Sequence, residues 1–153
     1  MLFRSLAEDK TAGLVLLRVY GARQLKAVAL AGETTKAADI TLLGVANPET
    51  QDGGNTVSIA RARLTDERTI DPMPGAGFTG AAALDAQGKL TGMVTLKPAL
   101  IAATGPAGPQ AVLTPVESIR NFLDAQNVAP AAYATPGVDA AKAAIVRVIC
   151  VRK

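Results

Sequence analysis

The segment spanning residues 72–94 constrains the fold more than any other part of the sequence. It begins with the glycine-rich run Pro72-Met-Pro-Gly-Ala-Gly-Phe-Thr-Gly80. Two short apolar runs follow, at residues 81–84 and 90–94, separated by Asp85-Ala-Gln-Gly88. Asp at the start of a turn and Gly at its end favour a tight reversal of the chain. The segment therefore predicts a glycine-rich loop that leads into a β-hairpin with strands at residues 82–84 and 90–96.

Other apolar runs of strand length lie between turn signals along the chain. They predict strands at residues 14–20, 40–46 and 56–64, a weaker strand at 68–70, and a short strand at 111–114. Many short strands with turns between them are typical of an antiparallel barrel or a sandwich.

A helix is predicted directly after the last of these strands. Thr114 is the expected N-cap, with Pro115 at the first helical position and Glu117 three residues after the cap. Apolar residues recur at helical spacing and predict a face that docks on the sheet. These residues are Val116, Ile119, Phe122 and Leu123.

The chain divides by composition into three parts. Residues 12–126 carry the strands and the helix, and residues 127–144 are rich in Ala, Pro and Gly, which predicts an extended linker. Residues 145–153 predict a final strand that returns to pair with an existing edge, with strand 14–20 as the candidate partner. Cys150 falls in this strand and is expected to be a buried apolar residue.

Composition excludes several classes of function. The sequence has no histidine and one cysteine, so an internal disulfide and a four-ligand Cys/His zinc site are excluded. Nucleic-acid binding is not expected, because the 16 basic residues are scattered among 13 acidic ones and aromatic residues make up 3%. The pattern Gly-x-Gly-x-x-Gly at residues 75–80 precedes a hairpin and not a helix, so a nucleotide cofactor is not expected either.

No apolar run reaches the roughly 18 residues of a membrane span, and the first residues do not form a signal-peptide pattern. We therefore expect a soluble chain. Its compartment stays open, since a fragment of a longer precursor could come from a periplasmic or secreted protein.

Four motifs, in order, resemble the C-terminal half of trypsin-like serine proteases, and most of all the bacterial branch that includes the periplasmic heat-shock proteases. They are Gly13-Leu-Val-Leu-Leu-Arg-Val19, Gly44-Val-Ala-Asn-Pro48, Gly77-Phe-Thr-Gly80 and the strand and helix at residues 111–123. The resemblance implies an all-β fold: a six-stranded antiparallel barrel with one C-terminal helix, to which we add the final strand.

The same resemblance implies that the chain is catalytically inactive. Gly13 stands at the position of the catalytic aspartate, Thr79 stands at that of the serine, and the barrel that supplies the histidine is absent. An alcohol is a poor nucleophile without an adjacent base. We therefore expect a degenerate protease domain that binds a peptide or a protein, or serves as a scaffold.

Binding geometry is implied at the positions that match the protease cleft. The backbone N–H groups of Gly77 and Thr79 would form an oxyanion hole, Met73 would lie near the base of the specificity pocket, and residues 91–95 would pair with an extended peptide. The simpler interpretation is that Gly75, Gly77 and Gly80 only permit a tight turn. The expected binding residues are Met73, Gly77, Thr79, Thr91, Gly92 and Met93.

Two alternatives stay open from the sequence. The chain could be half of a larger trypsin-like hydrolase whose N-terminal barrel is missing, in which case a partner lobe or a second copy would cover strand 14–20. A broad apolar face along that strand would favour this interpretation. The second alternative is a purely structural domain in which the cleft has collapsed.

Overall fold

The computed structural model describes residues 2–21, 25–47, 49–51, 56–66, 68–98, 100–102 and 105–148, of which 2, 100–102 and 105–107 are described by their backbone alone. The strands are β1 (Leu2–Asp9), β2 (Leu14–Tyr20), β3 (Asp39–Gly44), β4 (Ser58–Leu64), β5 (Ile70–Asp71), β6 (Ala82–Leu84), β7 (Leu90–Lys97), β8 (Leu100–Ala102), β9 (Gly105–Ala107) and β10 (Gln110–Pro115). The helices are α1 (Val116–Ala125) and α2 (Val138–Lys142).

Six strands form one antiparallel sheet in the order β10-β7-β6-β3-β4-β5. The sheet curls until its two edges almost meet. Two contacts show this: Thr69 forms an isolated bridge with Val112, and the Leu113 N–H donates to the Arg68 carbonyl over 2.8 Å. The protein is thus mostly β, with a nearly closed six-stranded barrel followed by one main helix. The predicted fold class is confirmed.

Side chains of the barrel strands alternate between two apolar cores. On β3, Ile40 and Leu42 point into the barrel, whereas Leu43 points outward to a second cluster that includes Ile119 of α1. Alternation of this kind follows from the two-residue period of a strand. The predicted apolar face of α1 is the surface that closes the outer cluster, as Ile119 is buried and Phe122 and Leu123 pack against it.

Strand β2 forms a separate two-stranded sheet with β1, which the sequence did not predict. The two strands pair from Leu2 opposite Tyr20 to Asp9 opposite Leu14, with a register shift at Leu6. The described residues at the end of the chain, 145–148, do not pair with β2, and the predicted pairing for residues 149–153 stays a prediction. A strand adjacent in sequence joined by a short turn is the easier partner.

The segment predicted as an extended linker contains α2, which packs on the barrel. The Gly137 N–H donates to the Gly88 carbonyl over 3.0 Å, and a Cβ on Gly88 would lie 2.4 Å from the Gly137 Cα. Ala141 is buried in the outer cluster. The turn after β6 thus has a glycine because a second piece of backbone lies against it.

Residues 145–148 are not in a strand, so the predicted returning strand is wrong for this stretch. Their backbone runs without a strand partner past the end of β3, where the Arg147 side chain holds them. Residues 149–153, including Cys150, lie outside the described residues, and the division of the chain at 126 and 144 stays a prediction.

Helix α1 begins differently from the prediction. Pro115 is the N-cap, and the Thr114 hydroxyl donates to the Ala12 carbonyl over 3.0 Å instead of capping the helix. The first helical N–H, that of Val116, donates to the hydroxyl of Thr34 over 3.0 Å. A residue distant in sequence thus performs the capping role that a local Thr was expected to fill.

Within the part of the chain that the structure describes, no helix has the length and hydropathy needed to cross a membrane.

Candidate functional site

The glycine-rich loop forms a 3₁₀ turn, Ala76–Phe78, that packs against the end of β3. A Cβ on Gly77 would lie 2.4 Å from the Ala46 carbonyl oxygen, which no side chain tolerates. Gly80 has a φ of +81°, and its N–H donates to the Val94 carbonyl over 2.8 Å. Close packing and a left-handed backbone therefore explain these two glycines without any ligand.

The Thr79 hydroxyl is exposed and has no base beside it among the described residues. Its hydrogen-bond partner is the Ala76 carbonyl, 3.4 Å away, and the Thr79 N–H is directed to the same oxygen at 3.5 Å. A carbonyl oxygen accepts a hydrogen bond but does not take up the proton at neutral pH, so it does not activate a nucleophile.

Gly13 lies in the turn between β1 and β2, with a φ of +68°. A Cβ there would lie 4.0 Å from the Thr95 hydroxyl, and the residue lines a cavity of about 590 Å³ between this turn, β7, β10 and α1. Thr79 lines a different cavity of about 380 Å³. The two positions matched to the protease aspartate and serine thus do not share a cavity in the described structure.

The larger cavity is bordered by a chain of hydroxyl groups. The Thr95 and Thr114 oxygens are 3.1 Å apart, and Thr114 donates onward to the Ala12 carbonyl, so the shared proton comes from Thr95. Asp9 accepts the N–H groups of Thr11 and Ala12 at 2.9 and 3.0 Å. The Thr114 bond joins the β1–β2 turn to the barrel, and the Asp9 bonds hold the turn itself in shape. Both are structural tasks.

The predicted peptide-pairing stretch at residues 91–95 has no open edge over its first three residues, the expected binding residues Thr91, Gly92 and Met93. Gly92 and Met93 pair with β6 on one side and with β10 on the other. Thr91 is fully buried, and its hydroxyl accepts the Thr35 N–H over 2.7 Å. A strand inside a sheet has its backbone groups in use on both sides, so these three residues cannot receive a peptide strand.

Farther along β7 the situation changes. The Val94 N–H and C=O bond to Ala81 and Gly80, and alternate residues of a strand direct these groups to the same side. Leu96 therefore directs its N–H and C=O toward the β6 side, beyond the end of β6, where no described residue pairs with it. Sequence reasoning placed the edge a few residues too early, because only the register shows where β6 ends.

Met73 is about half exposed and lies after β5, before the 3₁₀ turn. It does not line any of the cavities bordered by Thr79 or Gly13. The structure thus brings Gly77 and Thr79 together but leaves Met73 apart from them, on the open surface.

The cavity at Gly77 and Thr79 is covered on one side by residues 145–148. The Arg147 guanidinium donates from one nitrogen, Nη1, to the carbonyls of Val45 and Ala46 at 2.7 and 3.3 Å. No local signal in the sequence links Arg147 to carbonyls that lie 102 and 101 residues earlier, so sequence reasoning missed it.

A polar cluster joins α1 to the loop before β3. The Glu117 carboxylate accepts the Thr34 N–H over 2.7 Å and the Thr34 hydroxyl. Burial raises the pKa of Glu117, but the hydrogen bonds from Thr34 and from its own N–H, with the charge of Arg68, outweigh this and lower it. The cluster fixes the loop and does not open onto the cavities above.

The described residues contain no group of three or more His, Cys, Asp or Glu side chains that could hold a metal ion. No protein-family model matches the chain, and no curated protein matches it.

Proposed function

We propose that this protein is a catalytically inactive β-barrel module, similar to the C-terminal barrel of trypsin-like proteases, that binds an extended peptide or protein segment. The observation that carries the proposal is the side of β7 at Leu96, adjacent to the Gly77–Gly80 turn, which pairs with none of the residues that the structure describes. A free strand edge supplies a donor and an acceptor in register for a peptide backbone.

The inactive half of the proposal rests on the lack of a base beside Thr79 among the described residues. The chain has no histidine, and the partner of the Thr79 hydroxyl is a carbonyl oxygen. Incubation with a fluorophosphonate probe is therefore expected to give no adduct by intact mass, as with the Thr79→Ala control. An adduct that forms on the unaltered protein and disappears in the control would contradict inactivity.

The binding half is tested on peptides selected from a phage-displayed random library against the purified chain. Leu96→Pro removes the N–H that points to the open side, whereas Leu96→Ala keeps it. We expect the proline variant to bind the selected peptides about tenfold more weakly than the alanine variant, the effect of losing one main-chain hydrogen bond. Equal binding by both, with circular dichroism showing both folded, would rule out the β7 edge.

A second candidate, half of a larger hydrolase, is favoured by the β1–β2 hairpin. Apolar side chains on both strands are between 40% and 52% exposed, as a missing partner lobe or a second copy would require. They are Phe3, Leu6, Val15 and Tyr20. Light scattering on the purified chain tests the second copy: a dimer that Leu6→Ser and Val15→Ser dissociate supports it, and a monomer at all concentrations argues against it.

A further inference from the structure

We propose that the groove between the end of β3 and the Gly77–Ala81 turn recognises an arginine in an extended partner segment, and that Arg147 of this chain occupies it as an internal substitute. This rests on the proposed binding function and names the chemistry of the partner. The groove is the cavity of about 380 Å³ described above.

The recognition element is a pair of backbone carbonyls. Strand β3 ends at Gly44, so the carbonyls of Val45 and Ala46 lie beyond the ladder that pairs β3 with β4 and β6. Both accept hydrogen bonds from Arg147 Nη1. A guanidinium presents several N–H donors in a fixed plane, and two convergent carbonyls are matched to it without any carboxylate.

The groove around these carbonyls is small, and the described residues that line it carry no charge apart from Arg147. Its wall is made of glycine, alanine, valine and Thr79, with Gly77 so close to Ala46 that a side chain is excluded. Small residues keep the space above the carbonyls open to a long side chain. Selectivity for arginine therefore comes from hydrogen-bond geometry and not from an opposite charge.

The internal occupant is weakly anchored. Val146 is 56% exposed and Val148 is 46% exposed, so the side chains on either side of Arg147 stay largely in solvent. The segment forms no strand pairing and follows the last turn of α2, where Ile145 packs on the outer cluster. Within residues 145–148, the side-chain hydrogen bonds to the barrel come from Arg147, so a partner segment with the same chemistry competes for the same two carbonyls.

The test uses the full chain and a labelled, end-blocked peptide with the sequence of residues 143–148, Ala-Ala-Ile-Val-Arg-Val. A tethered segment competes at an effective concentration on the order of millimolar. Anisotropy should therefore show Arg147→Ala binding the peptide about tenfold or more tightly than the unaltered protein. A peptide with citrulline in place of arginine should bind Arg147→Ala about tenfold more weakly.

A matched pair of substitutions in the wall tests the position of the guanidinium. Ala76 is exposed and lines the groove, so Ala76→Glu should strengthen binding to Arg147→Ala and Ala76→Lys should weaken it, with both effects reduced by salt. If Arg147→Ala does not fold, the same pair is measured in the otherwise unaltered protein with excess peptide, and the same order of affinities is expected.

The inference is overturned if the peptide binds the unaltered protein and Arg147→Ala equally, if citrulline substitutes for arginine without loss, or if the Ala76 pair gives the same affinity. Library peptides that still depend on the Leu96 N–H would then leave the proposed function intact. Conversely, if binding depends on arginine and Leu96→Pro has no effect on it, arginine recognition in the groove is supported and peptide pairing at the β7 edge is ruled out.

Discussion

The barrel and the β1–β2 hairpin use the same kind of aliphatic strand but bury it to very different degrees. Leu42 on β3 is completely buried, whereas Leu6 on β1 is 52% exposed. In the barrel every central strand has neighbours on both sides and an enclosed interior. A two-stranded ribbon has one partner per strand and no interior, so its side chains are covered only where something else packs on it.

The hairpin illustrates this along its own length. At its turn, Leu14 is buried in the outer cluster and the Ala12 carbonyl accepts the Thr114 hydroxyl. Toward the other end, Tyr20 is 48% exposed. Val15, the neighbour of Leu14, faces the other side of β2 and is 51% exposed. Burial on the hairpin is thus decided by what packs against each side chain and not by the hydropathy of the strand.

The largest expected difference in stability is between the same substitution made in the barrel and in the hairpin. Leu42→Ala leaves a cavity inside the barrel and should lower the free energy of unfolding by about 2–5 kcal/mol. Leu6→Ala removes a half-exposed side chain and should cost less than about 1 kcal/mol. Urea titration measures both. Equal losses would mean that the hairpin face is covered in solution.

Two glycines with similar backbone angles give the next contrast. Gly88 in the barrel hairpin has a φ of +72°, and Gly21 after β2 has one of +74°. Gly21→Ala meets no atom of the described residues within 4 Å, so its expected cost is that of the left-handed backbone, about 1–2 kcal/mol.

Gly88→Ala carries the same backbone cost and in addition pushes its Cβ into Gly137. Its loss of stability should therefore exceed that of Gly21→Ala by about 1 kcal/mol or more, with α2 displaced. Thermal unfolding of both variants checks this. Identical losses would show that α2 does not rest on this turn.

The smallest effect concerns two carboxylates, Glu117 on the barrel side and Asp9 on the hairpin. Because the folded-state pKa of Glu117 is lowered, its stabilisation is fully present above the unfolded pKa and is lost as the pH falls through the folded one. Glu117→Gln should therefore flatten the acid limb of the stability curve. Thr34→Val, which removes the cap of α1 as well, should cost about 1–2 kcal/mol at neutral pH.

The hairpin provides the control for this prediction. Asp9→Asn keeps the side-chain oxygen that accepts the N–H groups of Thr11 and Ala12, and should change stability by less than about 0.5 kcal/mol. Chemical unfolding across the acid range compares the variants. An acid limb that Glu117→Gln leaves unchanged would show that this carboxylate is not the group that titrates.

Most strands were predictable because their signals are local. The alternation in β4, the turn at Asp85 and Gly88 and the helical spacing of Ile119 and Phe122 act within a few residues, and the structure has each element within a few residues of its predicted limits. Strand β1 was missed because polar residues interrupt its apolar ones, so no continuous apolar run marks it in the sequence.

The candidate site was predicted less well, for a physical reason. Gly77 and Thr79 share one turn, so sequence alone put them together. Whether Thr91 or Leu96 offers an open edge depends on where β6 stops pairing, and that is a property of two strands at once. The trypsin-like interpretation of these positions stays a proposal.

The sequence by itself determined the all-β class, the hairpin turns and the absence of a histidine base, since each of these is written in neighbouring residues or in composition. Only the tertiary structure decided that the Thr34 hydroxyl caps α1 and that the backbone of Gly137 packs against Gly88. It also decided that Arg147 donates to the carbonyls of Val45 and Ala46. These contacts join residues far apart in the chain, and their partners are selected by barrel closure, which no local pattern encodes.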